Sequence, residues 1–131
     1  MSQPADVTVR TGKGLVQEIS VGKHALRADV PAALGGTDSA PAPHELLLAA
    51  YGACTSMTVT MYAQRKQWPL EGIEVTLRLT PAPQPGGKER IERDIHLRGP
   101  LDDEQRKRLR EVADKCPVHR TLSNSPEIVT R

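Results

Sequence analysis

Phenylalanine is missing from this chain, and its only aromatic residues besides histidine are Tyr51, Tyr62 and Trp68. That scarcity leaves no base-stacking platform and no aromatic-rich core, so the interior has to be built from Leu, Val, Ile, Ala and Met. Charge of one sign is lacking as well: 18 basic and 16 acidic side chains are mixed through the sequence for a formal net charge of +2. With no basic stripe to track phosphates, the chain is not expected to bind nucleic acid. The opening MSQPADVTVR has neither the basic start nor the apolar stretch of a signal peptide, and no run is expected to reach the length that crosses a bilayer. A cytoplasmic protein without membrane contact is the expectation. Cysteine occurs only as Cys54 and Cys116. In a reducing compartment, two thiols far apart in sequence argue against a structural disulfide unless they are catalytic or redox-sensing.

The length, 131 residues, suits a single domain over residues 1–131, near the size at which a partner subunit commonly supplements the core. Val7 and Val9 share one face of DVTVR, TGKG supplies a turn, and Val16, Ile19 and Leu26 lie in two further extended stretches broken by Gly22. These predict three short antiparallel strands. The Gly/Pro-rich segment from Ala32 to Pro43 then delivers the chain to HELLLAAYGAC, where Leu46, Leu47, Ala50, Cys54, Met57 and Met61 recur at helical spacing. Leu48, Ala49, Tyr51, Ala53 and Val59 leave that helix little polar surface elsewhere, so it is expected to be buried on all sides, by a wrapped sheet or a second subunit. Arg65, Lys66 and Pro69 mark its end. Alternation at Ile73, Val75, Leu77 and Leu79, and again at Ile91, Ile95 and Leu97, predicts a hairpin with a long loop. Asp102 with Gln105 opens an amphipathic helix bearing Leu109, Val112, Ala113 and Cys116, Pro117 starts a short second helix, and EIVT is the last expected strand.

The chemistry rests on the two thiols. Cys116 falls just before the short helix, where free N–H groups and the helix dipole favour a thiolate, so a lowered pKa is expected there. Cys54 lies within an apolar helix, where a thiol needs a nearby cation to react and is otherwise a small core hydrophobe. Glu45 occupies the first helical turn, a favourable place for a carboxylate with no further role required. Nine residues at about 100° each set Glu45 and Cys54 on opposite faces, roughly 13 Å apart along the axis. They can cooperate only through a kink near Gly52, an intermediary side chain, or the same helix of a second subunit. A metal site is the competing constellation, because Cys116 and His119 have C-x-x-H spacing and Cys54, His24, His44 and His96 could add ligands, but there is no second spaced pair.

The segments PAPHELLLAAYGACTSMTVTMYA and CPVHRTLS together resemble the OsmC/Ohr superfamily, osmotically inducible and organic hydroperoxide resistance proteins, in its YhfA-type branch. The resemblance implies an α+β fold of order β-β-β-α-β-β-α-α-β, with strands wrapped around a buried central helix in an intertwined homodimer. It also implies thiol-dependent reduction of organic hydroperoxides without metal, flavin or other cofactor. Cys54 then matches the peroxidatic thiol and Cys116 the resolving one, with an external dithiol of lipoyl type as reductant. By the same match Glu45 orients an arginine that activates Cys54. Arg27, in HALRADVP, falls nearest the expected position, Arg10 and Arg120 are alternatives, and a solvated strand residue is the ordinary role for Arg27. The spacing from Glu45 to Cys54 is one residue shorter than is usual in the family, and CPVHRTL replaces a small polar sequence, so His119 either lines the site or caps the short helix. The competing reading, from a different class, is a non-catalytic dimer of the same fold that binds a small ligand or senses redox state.

Overall fold

A computed structural model describes residues 3–131, and its chain clusters into two compact units, the boundary falling after Leu47 within the long helix. In the first unit β1 (Val7–Thr11), β2 (Gln17–Val21) and β3 (His24–Ala28) form an antiparallel meander. Its register places Val9, Ile19 and Leu26 side by side, the cross-strand apolar pairing that alternation in the sequence implies. The β2–β3 hairpin closes through Gly22 at φ 56°, a left-handed conformation that glycine adopts without steric cost.

After β3 the chain turns around one carboxylate. Asp29 is buried and accepts from the backbone N–H groups of Val30 (2.8 Å), Thr37 (3.2 Å) and Ser39 (3.0 Å) and from the hydroxyls of Thr37 (2.6 Å) and Ser39 (2.8 Å). The Thr37 hydroxyl first, then the Ser39 and Val30 donors, hold its carboxyl far below the usual carboxylate range. Gly36 lies so close that an added Cβ would stand 2.1 Å from the Val30 carbonyl oxygen. The segment from Ala32 to Pro43 is thus an ordered loop, with a single 3-10 turn at Ala32–Leu34.

The helix α1 (Pro43–Lys66) is followed in the second unit by the antiparallel pair β4 (Gly72–Thr80) and β5 (Arg90–Arg98), then by α2 (Asp103–Ala113) and α3 (Pro117–Ser123). α2 starts with a complete capping box: Asp102 accepts from the Gln105 N–H while the Gln105 side chain accepts from the Asp102 N–H. Tyr51, Thr55, Val59 and Ala63, four residues apart, form the buried stripe of α1. Val59 and Ala63 join Leu97, Leu101, Leu109 and Ala113 in the core of this unit. α1 runs unbroken through Gly52, where an added Cβ would lie 2.7 Å from Leu77 Cδ1, so this glycine lets helix and strand approach closely and does not make a kink.

The α+β architecture and the order of its first eight elements agree with the sequence. Two expectations are corrected. No strand forms over Glu127–Thr130, and Ile128 and Val129 are exposed, because neither sheet of this chain pairs with that segment and a strand exists only through its pairing. Within the single chain α1 is buried along one stripe, and Leu47, Met57 and Met61 are exposed on the faces for which a second subunit was the expected cover. The same helix, at 24 residues, is also long and apolar enough by composition to cross a bilayer, contrary to the expectation that no run is. Its packing through Val59 and Ala63 is that of a core helix.

Two outcomes follow for stability. Leu109→Ala, which empties a fully buried position, is expected to lower the unfolding free energy by about 2–4 kcal/mol, seen as a lower denaturant midpoint at unchanged slope. Because the folded pKa of Asp29 is depressed, the stability it contributes is complete above the unfolded value of about 3.9 and is lost as pH falls below it. Asp29→Asn is therefore expected to lower Tm by several degrees at neutral pH and to flatten the acid limb of the Tm profile.

Candidate functional site

Ile91, Arg93, Ile95 and Leu97 alternate along β5, so they share the face that packs inward. Arg93 is the cation in that apolar row, paired in register with Leu77, and its side chain is only 12% exposed. A buried guanidinium is tolerated where its donors are met. One Nη donates to the Thr55 hydroxyl (3.1 Å) and the Ala113 carbonyl (3.4 Å), the other forms an ion pair with Asp114, and the guanidinium carbon stands 4.9 Å from the centre of the Tyr51 ring. Thr55 in turn donates to the Tyr51 carbonyl at 2.9 Å. β5, α1 and the end of α2 are tied together at this one side chain.

The thiols meet beside it. Cys54 is half-buried on α1, one residue before Thr55, and Cys116 is fully buried, two residues after Asp114. Both are free, and Cys54 is near enough to influence the Cys116 thiol. Cys116 is also the N-cap of α3: its Sγ accepts from the His119 N–H at 3.4 Å, with Pro117 in the first helical position. The His119 ring turns back to Tyr51, whose hydroxyl lies 2.5 Å from Nδ1. Burial, and after it the interaction with Cys54, push the Cys116 thiol up, and the N–H groups of His119 and Val118 oppose this without reversing it. The lowered pKa expected from the helix terminus is therefore corrected: desolvation outweighs the terminus. The Tyr51 hydroxyl is likewise raised by burial, against the opposing charge of Arg93.

Two free thiols, one accessible and one buried and protonated, brought together from α1 and the start of α3, form a pair suited to oxidation in two steps. The family model for OsmC-like protein matches residues 36–131, a span that contains both thiols and every residue just described. The chain belongs to the OsmC-like family. Solved structures agree with that membership in fold. The OsmC-like protein of Mycoplasma pneumoniae superposes with a TM-score of 0.81 at 19% identity, over 95% of this chain and 91% of that one. An organic hydroperoxide resistance protein OsmC of Legionella pneumophila gives 0.68 at 23% identity over 93% and 90%. The organic hydroperoxide resistance protein OhrB of Bacillus subtilis gives 0.63 at 24% identity over 92% and 91%. Comparison with curated proteins finds no significant match.

Within this OsmC-like chain the remaining candidates stand as follows. Glu45 reaches back to accept from the Ala42 N–H at 2.8 Å, a role at the start of α1. Arg27 is exposed on β3 and donates to Glu18 of β2 at 3.2 Å. Arg10 on β1 and Arg120 on α3 are exposed. His119 does not cap the short helix: Cys116 is the N-cap and the His119 backbone N–H is the donor it satisfies, while the His119 ring stands against Tyr51. Among the described residues, no group of three or more His, Cys, Asp or Glu is placed to hold a metal ion. Arg93, Tyr51 and Thr55 were not among the sequence candidates. The detectable signal was Arg93 itself, a charge in phase with Ile91, Ile95 and Leu97.

The raised Cys116 pKa has a measurable consequence, since only the thiolate is alkylated and its fraction at neutral pH falls as the pKa rises. In a Cys54→Ser protein, iodoacetamide is expected to label Cys116 at least about tenfold more slowly at pH 7 than in the urea-unfolded chain, accelerating above the ordinary thiol pKa of about 8.5. Folded and unfolded rates that coincide at pH 7 would contradict the burial of this thiol.

Proposed function

We propose that this chain is a cysteine-based peroxidase that reduces organic hydroperoxides. The observation that carries the proposal is the meeting of two free thiols, Cys54 half-buried and Cys116 buried and protonated, in a chain of the OsmC-like family. The Cys54 thiolate attacks the outer peroxide oxygen, the O–O bond breaks, and the alcohol departs with a proton, leaving Cys54 as sulfenic acid. Cys116, already beside it, condenses with the sulfenic acid to a disulfide and water. A dithiol of lipoyl type then reduces the disulfide by exchange. No metal or organic cofactor enters these steps.

The half-buried thiol sits on a helix whose neighbouring surface includes Ala53 and Met57, both exposed, and this favours a peroxide with an alkyl or aryl group. The exposed Leu47, Met57 and Met61 of α1 are the surface we assign to a second copy, making the working form a homodimer. Arg27 as activator and Glu45 as its orienter belong to this proposal as residues acting in that dimer, and residues 1–131 act as one OsmC-like domain in the cytoplasm. Arg93, with its guanidinium on Thr55 and Tyr51, contributes fixed positive charge beside the thiols.

The reduced protein is expected to consume cumene hydroperoxide with dihydrolipoamide as electron donor. Cys54→Ser should lower that turnover by at least about 10³-fold, as loss of a nucleophile does. Cys116→Ser should still be oxidised once at Cys54 but form no intramolecular disulfide, shown by a thiol count after peroxide. Two free thiols surviving peroxide in the wild type, without turnover, would sink the peroxidase and favour a non-catalytic binder or redox sensor of the same fold.

A further inference from the structure

Disulfide formation between these thiols demands that a buried, protonated Cys116 lose its proton in a site where solvent does not reach it. Water cannot collect that proton directly. The side chains of Tyr51 and His119 pair with each other in the cluster that holds this thiol: the Tyr51 hydroxyl is 2.5 Å from His119 Nδ1, the two rings have centroids 5.8 Å apart, and the backbone N–H of His119 donates to the Cys116 sulfur. Tyr51 is buried beneath Arg93 and lies one turn of α1 before Cys54 and Thr55. His119 is only half-buried and therefore connects this interior to solvent.

Resting on the thiol-pair reading above, we infer that the Tyr51–His119 pair is the proton carrier for the attack of Cys116 on oxidised Cys54. A neutral imidazole with a free Nδ1 lone pair accepts the phenolic hydrogen, and the phenol oxygen is thereby ready to take up the thiol proton. In the resolving step the Cys116 sulfur gives an electron pair to the Cys54 sulfur, the S–S bond forms and the S–O bond breaks with its electrons on oxygen. The Cys116 proton passes to the Tyr51–His119 pair and is returned to the departing oxygen, which leaves as water. Cys116 is oxidised by one unit, the Cys54 sulfenic sulfur is reduced by one, and no net proton is released. Tyr51 and His119 are positioning and proton-carrying groups here, with Cys54 and Cys116 as the reacting atoms. The charged and titratable groups that face Tyr51 are Arg93 from β5, Asp114 at the end of α2, Cys116 before α3 and Cys54 on its own helix, and a pH profile of this step reads all of them together.

The test avoids peroxide. Reduced protein mixed with excess 5,5′-dithiobis(2-nitrobenzoate) should release a first thionitrobenzoate as Cys54 is capped, at a rate proportional to reagent. A second follows as Cys116 displaces the cap, at a rate independent of reagent and absent in Cys116→Ser. In Tyr51→Phe and in His119→Gln the second phase is expected to slow by about 10²-fold at pH 7. Its pH profile should steepen to the tenfold per unit of unassisted thiolate attack. The first phase should stay within about twofold, and far-UV circular dichroism should show each variant folded. A second phase with wild-type rate and wild-type pH profile in both variants overturns the inference. Absence of cumene hydroperoxide turnover in the wild type would remove the peroxidase reading alone, because the capped-thiol step needs no peroxide.

Discussion

A guanidinium facing the interior sets the conditions for everything around it. Arg93 lies in the apolar row of β5, and a charge there is stable only while its donors have partners. Those partners come from two elements: Thr55 and the Tyr51 ring on α1, and at the end of α2 the Ala113 carbonyl and Asp114, its C-cap. All lie within three residues of a thiol, Tyr51 and Thr55 of Cys54 and Ala113 and Asp114 of Cys116. The positions of both sulfurs therefore follow from the satisfaction of one cation. A small displacement of α2 would strand that charge, which makes the thiol geometry resistant to drift.

The two thiols differ because their surroundings do, although both belong to the same cluster. Cys54 is half-buried on a helix whose Met57 and Met61 are uncovered in the single chain, whereas Cys116 is fully buried at the start of its own helix. Under the proposed function, accessibility suits the thiol that would meet a substrate, and burial suits the one that would wait protonated until a sulfenic acid forms nearby. α1 serves both ends of this division, with its Tyr51–Ala63 stripe in the core and its other faces free.

Much of this was legible from local patterns. Alternation at Val7 and Val9 and at Ile73 to Leu79, the Asp102–Gln105 box, Pro117 as a helix start and the apolar run of α1 are signals that operate within a few residues, and each produced the element it implies. What failed depended on contacts distant in sequence. Burial of Cys116 reversed the sign expected from a helix terminus, and the segment Glu127–Thr130 found no neighbour with which to be a strand. Arg93 escaped notice because apolar alternation registers Ile91, Ile95 and Leu97 and passes over the cation between them. Asp29 looked like an ordinary loop aspartate, since nothing adjacent announces that Thr37 and Ser39 will fold back on it.

The sulfur that starts α3 has a further consequence. A helix of seven residues is too short to persist on intrinsic propensity, so it relies on its tertiary contacts and on its cap, and that cap is the Cys116 sulfur held by the His119 N–H. A sulfur committed to a disulfide must turn toward its new partner and is a weaker acceptor than it was. The structural element and the chemical group thus draw on the same atom. In the proposed cycle, oxidation would weaken the cap of α3 and reduction would restore it, so the redox state of the pair would be written into the backbone, where amide exchange at Val118 and His119 would keep its record.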